Sequence, residues 1–152
     1  MDPTNAVVKL CVDGMEAEAS GNNLQAHELF LKAWELSTDD FERCIAAHYV
    51  ARHTNCPSDS LHWNQKALDH AMRVEASKVS GFYASLHLNL GRAHEDLGSL
   101  QNAKVHYEMA INALNDVPSG VYRDTVQGGI ARALARVNGS DEHAREFIPV
   151  EQ

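Results

Sequence analysis

Two stretches of the sequence decide the fold: GMEAEASGNNLQAHELFLKA at residues 14–33 and GRAHEDLGSLQNAKVHYEMA at residues 91–110. Both begin with a glycine, and a second glycine, an alanine, an aromatic ring and an alanine follow at steps of 7, 5, 4 and 3. The residues are Gly14, Gly21, Ala26, Phe30 and Ala33 in the first stretch, and Gly91, Gly98, Ala103, Tyr107 and Ala110 in the second. Steps of three and four follow one face of an α-helix, and the second glycine is typical of a tight turn. The stretches therefore predict a repeated helix-turn-helix unit.

This pattern resembles the tetratricopeptide repeat (TPR), a helix-turn-helix unit of about 34 residues. In such a unit small residues let two helices approach closely, the turn glycine permits a positive φ, and the aromatic ring fills the remaining space. The matching stretches lie 77 residues apart, which is two repeat lengths plus about nine residues. The resemblance therefore implies three units stacked as a right-handed superhelix and closed by a capping helix. We place the repeats at about 7–40, 41–83 and 84–117, and the cap at about 120–138.

The middle repeat matches the pattern weakly, and two registers stay open. In the family register, His48 takes the small-residue position and hydrogen-bonds to Ser60. In the alternative, which is shifted by one residue, Ala47 packs there and Trp63 supplies the aromatic ring. The extra residues fall within 68–86, where we expect them to lengthen the two flanking helices into a protruding hairpin.

Helical signals extend over most of the chain, and no segment shows the alternation of a strand. We therefore predict an all-α protein with helices near 3–20, 23–37, 40–54, 58–75, 79–97, 100–115 and 120–138. These helices would form one TPR domain over residues 1–138, followed by a flexible tail at 139–152.

Composition excludes several classes of protein. The chain has 152 residues, a net charge of −8 and a hydrophobic fraction of 44%, which suits one folded domain. An acidic chain without a run of lysine or arginine repels a phosphate backbone, so we expect no nucleic-acid partner. No apolar run is long enough to span a membrane, and the N-terminus lacks the positive charge of a signal peptide. Three cysteines without a CxxC motif favour a reducing, cytoplasmic compartment.

The sequence carries little catalytic chemistry. It has no glycine-rich GxGxxG motif and no P-loop, so we expect no cofactor. The paired glycines Gly128 and Gly129 lie in a helical pattern, where close helix packing explains them. His53, Cys56 and Asp59 lie close together in sequence, but catalytic triads usually converge from distant segments. We therefore predict that the protein is not an enzyme.

Nine histidines are the unusual feature of the composition. His87 and His94 lie seven residues apart on one helix face, about 10.5 Å along the axis, which is too far for one ion. We expect both to pack between paired helices. We expect the histidines on second helices to be solvated, namely His27, His62, His70 and His106. A histidine-based metal-binding protein is therefore the least favoured alternative.

The TPR resemblance implies a concave groove lined by the first helix of each repeat. The groove positions that we assign to a partner are Met15, Tyr49, Arg52, His53, Ser85, Asn89, Arg92 and Asp96. An arginine can fork onto a carboxylate, and an asparagine can pair with a peptide backbone. The open alternative is that both arginines only pair with acidic neighbours on a solvated face. Those neighbours are Glu42, Glu95 and Asp96.

We therefore expect a non-enzymatic module that holds a peptide or helix of a partner protein in this groove. The alternative is a self-associating structural protein, because the first helix is apolar around more than one face and needs a further cover. Its apolar residues are Val7, Val8, Leu10, Cys11, Val12 and Met15. That cover would be a partner peptide, a second copy in a homodimer, or the C-terminal tail with Phe147, Ile148 and Val150.

Overall fold

A computed structural model describes residues 2–146, with side chains placed for residues 2–139. Within this range the chain is helical and contains no strand. The helices are α1 (Ala6–Ala19), α2 (Asn23–Leu36), α3 (Asp40–Val50), α4 (Pro57–Ala71), α5 (Ala76–Val79), α6 (Tyr83–Asp96), α7 (Leu100–Ala113) and α8 (Val121–Glu146). Helix α5 is a single turn, and the other seven helices are longer. The predicted all-α class and the predicted number of seven helices are confirmed. No helix in the described range is long and apolar enough to cross a membrane.

The chain divides into two compact units, Met1–Ser80 and Gly81–Gln152. In the first unit α1 pairs with α2 and α3 pairs with α4, while α3 also packs on both α1 and α2. In the second unit α6 pairs with α7, and α8 packs on both of them. Each unit therefore begins with a helical hairpin, and the helix that follows contacts both helices of that hairpin.

The two repeated stretches form these hairpins through a glycine and an aromatic ring. A Cβ atom at Gly14 would overlap the ring of Phe30, and one at Gly91 would overlap the ring of Tyr107. Both rings are fully buried. The aromatic ring therefore lies directly on the glycine of the facing helix, in the space that a side chain at the glycine position would fill.

The hairpin turns are also alike. Gly21 has a φ of 78° and Gly98 a φ of 77°, a conformation that strains residues with a side chain. In each turn the glycine N–H donates to the carbonyl three residues earlier, and the next N–H donates to the carbonyl five residues earlier, all at 2.9 Å. This is a Schellman motif, which satisfies the carbonyl groups at the end of a helix.

The buried face of α4 agrees with a spacing of 34 residues from the first hairpin. Its buried residues are Asn64, Ala67, Leu68 and Ala71. Asn64 and Ala67 stand 34 positions after Phe30 and Ala33, so a buried asparagine stands where the first hairpin has its aromatic ring. Trp63, which the shifted register would place there, is half-buried and contacts Trp34 instead.

The connection after α4 differs from the prediction. Helix α4 ends at Ala71 and α6 begins at Tyr83, so neither helix is lengthened. The residues between them form α5 and a 3-10 turn over Ser80–Phe82. Because Val79 of this segment is fully buried, the connection folds onto the protein, and the predicted protruding hairpin is wrong.

Helix α8 packs on α6 and α7 and runs further than predicted. Val126, Ile130 and Val137 are buried, and a Cβ atom at Gly129 would lie 3.2 Å from Leu88 of α6, so this glycine permits close packing. We placed the end of this helix at residue 138, whereas it continues to Glu146. A lone glycine costs a helix only about 1 kcal/mol, so Gly139 does not end it. The rest of the predicted tail lies outside the described residues.

Candidate functional site

In the first unit the predicted partner residues gather around Phe30. Tyr49 of α3 stacks on its ring with the centroids 5.1 Å apart, and His53 stacks at 5.5 Å. Met15 of α1 packs against the same buried cluster. His53 and Arg52 both lie in the 3-10 turn, Ala51–His53, that follows α3. The structure therefore brings these four predicted residues together.

Glu18 of α1 lies within ion-pair distance of both basic residues of this group. Arg52 Nη2 donates to Glu18 Oε2 at 2.8 Å, and His53 Nε2 lies 3.1 Å from Glu18 Oε1. The Arg52 guanidinium also lies over Tyr49, 5.6 Å from the ring centroid. Arg52 is therefore paired on a partly exposed face, as our alternative interpretation held, but its partner is Glu18.

Glu42, one of the expected partners of Arg52, is buried and serves the fold. Its carboxylate accepts hydrogen bonds from Thr38 N at 2.7 Å, Thr38 Oγ1 at 3.0 Å and Asn5 Nδ2 at 2.6 Å. The backbone N–H of Thr38 contributes most to holding the Glu42 pKa below its usual value. Asn5 also caps α1, so Glu42 links the beginning of α3 to the beginning of α1.

In the second unit the other predicted residues form one stripe on α6. The α6 stripe consists of Ser85, Asn89, Arg92 and Asp96, spaced by four, three and four residues. Ser85 Oγ hydrogen-bonds to the hydroxyl of Tyr122 on α8. Arg92 and Asp96 are exposed, and Arg92 forms no ion pair with the part of the chain that the structure describes. Arg92 is therefore the less engaged of the two predicted arginines.

Glu95 lies in the second unit at the position that Glu18 has in the first, 77 residues later. Arg136 of α8 forks onto its carboxylate with distances of 2.9 and 3.1 Å, and the Tyr107 hydroxyl donates to the same group. The bond from Arg136 is the main cause that lowers the Glu95 pKa, and burial raises the Tyr107 pKa. Glu95 therefore pairs with Arg136, not with Arg92 as we had considered.

Three histidines stack where α6 faces α7. His106 of α7 lies between His87 and His94 of α6, with ring centroids 5.4 and 5.3 Å apart. The Nδ1 atoms of His87 and His106 are 3.1 Å apart. Burial lowers the pKa of His87 and, together with the charges of its two neighbours, lowers that of His106 to about 4. The packed positions of His87 and His94 are confirmed, whereas the solvated position expected for His106 is wrong because α7 holds it against α6.

A second group, which we did not predict, lies between α2 and α4. Trp34 and Trp63 meet edge to face, 5.1 Å apart, and the Lys66 ammonium lies 5.3 Å from one ring centroid and 5.6 Å from the other. His70 contacts Trp34 at 5.8 Å, and its Nδ1 is 2.6 Å from Asp40 Oδ1, so the expected solvated His70 is also wrong. Spacings of three and four already put Trp63, Lys66 and His70 on one face of α4. The approach of Trp34 from α2 left no signal in the sequence.

The remaining reactive side chains are dispersed. Cys11, Cys44 and Cys56 are free, and burial raises the pKa of Cys11 and Cys44 to about 12. The thiol of Cys56 lies 3.2 Å from Ser58 Oγ. Among the described residues, no group of three or more histidine, cysteine or acidic side chains is placed to hold a metal ion.

The apolar first helix is largely covered. Val7, Val8 and Cys11 are between 2% and 5% exposed, and only Val12, at 38%, stands among the exposed large apolar residues. The chain itself therefore covers most of the apolar surface of α1. The tail residues that we considered as a further cover lie outside the described range.

Comparisons of the chain with models of protein families, with curated proteins and with solved structures give no match. The interpretation of the site therefore depends on the residues of this chain alone. The TPR resemblance and the function drawn from it are therefore proposals.

Proposed function

We propose that the protein is a small TPR-like repeat protein that binds a peptide or helix of a partner protein and catalyses no reaction. In this proposal the pairs α1–α2, α3–α4 and α6–α7 are the three repeats of a right-handed superhelix, and α8 is the cap. Support comes from the two hairpins, which share a glycine under an aromatic ring and a Schellman turn. Free cysteines suit a cytoplasmic location.

The α6 stripe carries the proposal. Its spacing puts a hydroxyl, an amide, a guanidinium and a carboxylate on one helix face. Arg92 is exposed and engaged by no described acidic side chain within ion-pair distance, so its planar fork is available to a carboxylate of a partner. Asn89 supplies a donor and an acceptor, which match the two polar groups of a peptide unit. We therefore assign Arg92 the main charged contact.

The residues around Phe30 have a different part in this proposal. A ligand carboxylate would have to replace Glu18 on Arg52, which already holds an ion pair at 2.8 Å. Tyr49 and His53 are half-buried and present aromatic surface, and Met15 is a flexible apolar neighbour. We expect these three residues to contact apolar side chains of the partner, while Arg52 contributes little to affinity.

The test uses peptides selected from a random displayed library on the purified protein. We expect Arg92→Glu to weaken their binding about tenfold or more, because it replaces a charge-assisted hydrogen-bond donor by a repelling carboxylate. Fluorescence anisotropy of labelled peptides measures the dissociation constants, and circular dichroism confirms that the variant stays helical.

Lys104→Glu is the matched control, because it makes the same change of charge on α7 of the same unit. It should leave the dissociation constant within about twofold. Selected peptides that bind Arg92→Glu as tightly as the unchanged protein would contradict the proposed site on α6.

A further inference from the structure

We propose that Trp34 and Trp63 form a binding site for a quaternary ammonium group, such as that of a trimethylated lysine side chain. Lys66 occupies this site until such a ligand displaces it. We call Trp34, Trp63 and Lys66 the tryptophan site. It lies between α2 and α4, within the first unit, and none of its residues belongs to the face assigned to a peptide partner.

The position of the Lys66 ammonium shows which chemistry the site accepts. Its Nζ atom lies within 5.6 Å of both indole centroids, inside the range of about 6 Å over which a cation is attracted by an aromatic face. The two rings are almost perpendicular, at 88°, so together they form two walls of a corner. Indole is the strongest cation–π partner among the side chains.

A quaternary ammonium fits this corner better than Lys66 does. A primary ammonium is compact and strongly hydrated, so it gives up bound water when it lies against indole. A trimethylated nitrogen has no N–H to hydrate, and its methyl groups add apolar contact with the rings. Lys66 is attached to the same helix as Trp63, three residues away, so it competes with a ligand from within the chain.

The aromatic rings and the net charge of the chain, and not a free carboxylate at the site, would attract the cation, because the nearby Asp40 already has partners. Asp40 accepts the hydrogen bond of His70, whose ring stands 5.8 Å from Trp34, and its carboxylate is 3.7 Å from Arg73. The whole chain carries a net charge of −8, which attracts cationic partners. Both tryptophans and Lys66 are half-buried, so the rings keep exposed surface for a ligand.

Intrinsic fluorescence tests this proposal directly, because Trp34 and Trp63 are the only tryptophans in the chain. We expect acetylated trimethyllysine, and choline as a smaller probe, to change the emission saturably. The neutral isostere 3,3-dimethylbutanol should change it much less, and an equal concentration of sodium chloride should leave it unchanged. An equal response to the neutral isostere would overturn the proposal.

Two substitutions separate ligand binding from a general effect on the indoles. Lys66→Ala removes the internal competitor, so we expect trimethyllysine to bind about fivefold tighter, a change of the size of one cation–π contact. Trp63→Leu should abolish the saturable response of Trp34. If Lys66→Ala loses helical circular dichroism, Lys66→Met keeps the aliphatic stem and replaces it in the test.

The control is Lys104→Ala, which removes a positive charge from the other unit and should bind trimethyllysine as the unchanged protein does. Equal affinities of the unchanged protein and the Lys66 variant would overturn the proposal. So would binding that survives Trp63→Leu. Because Arg92 plays no part in these measurements, their failure would not affect the proposed peptide face.

Discussion

Gly91 sets the distance between α6 and α7 because its missing side chain makes room for Tyr107. The ring is fully buried, and its hydroxyl is bound to Glu95, so it cannot move aside easily. We expect Gly91→Ala to destabilise the protein, because an overpacking cost of about 1–3 kcal/mol exceeds a gain in helix propensity of about 1 kcal/mol. Urea unfolding followed by circular dichroism measures the difference.

Gly128→Ala is the control for this substitution within the same unit. A Cβ atom there would meet only the flexible end of Arg132, at 3.3 Å. It should therefore stabilise the protein by up to about 1 kcal/mol. The double variant Gly91→Ala with Tyr107→Leu should lose less unfolding free energy than the two single variants lose in sum. Strict additivity would show that the ring does not resist the new methyl group.

At the scale of the element, α4 carries a polar residue, Asn64, on its buried face. Asn64 is 3% exposed, and its Oδ1 finds no hydrogen-bond donor among the described residues. Its amide donates only a long bond, 3.3 Å, to Ser60 Oγ. A buried acceptor without a partner costs about 1–3 kcal/mol.

We therefore expect Asn64→Leu to raise the free energy of unfolding by about 1 kcal/mol, because leucine has a similar size and needs no donor. Chemical denaturation checks this value. The control Asn64→Asp places a charge in the same space and should destabilise the protein strongly. A loss of stability in the leucine variant would contradict this inference, because it would mean that the Asn64 side chain makes favourable hydrogen bonds in the fold.

The sequence predicts elements well where a pattern recurs, and poorly where the chain departs from it. The hairpin at Gly14 and Phe30 follows from spacing, because both residues face each other across one short turn. The segment after α4 has no counterpart in the repeat, so nothing in the pattern indicated that Val79 would be buried. Side-chain pairs across helices are equally invisible: Arg136 binds Glu95 from 41 residues away.

The same distinction applies to the candidate site. The resemblance assigned Met15, Tyr49 and His53 to one face, and the structure places all three around the buried ring of Phe30. The resemblance assigned Arg52 to a partner protein. In the structure Arg52 forms an ion pair with Glu18, which lies 34 residues earlier in the chain. Partner assignment needs side-chain geometry, which neither spacing nor composition contains.

For the whole molecule, three of the histidines that the structure describes, His48, His87 and His106, have their pKa values lowered by burial. Burial, with the charge of Arg52, lowers the pKa of His48 in the first unit to about 4. In the second unit the pKa of His106 also falls to about 4, and that of His87 is lowered. The ordinary value for all three is 6.5. Full protonation of the folded surface is therefore opposed by the fold itself.

Acid should consequently destabilise the folded protein before it protonates all of its histidines. Between about pH 6.5 and pH 4 the unfolded chain binds protons on these imidazoles that the folded protein does not bind, so the free energy of unfolding decreases as the pH falls. His48 contributes at most about 1.4 kcal/mol per pH unit, and solvent screening makes the half-buried His87 and His106 contribute less. Glu42 and Glu95, whose pKa values are lowered in the fold, extend the loss to more acidic pH.

Urea unfolding at a series of pH values from about 7 to about 4.5 tests this expectation across the range in which histidine titrates. The variants His48→Gln and His106→Gln should each flatten the decline, because each removes one imidazole that gains a proton on unfolding. His62→Gln, at an exposed position of α4, should leave the slope unchanged. A free energy of unfolding that stays level over this range, or that rises as the pH falls, would contradict the inference that burial governs these histidines.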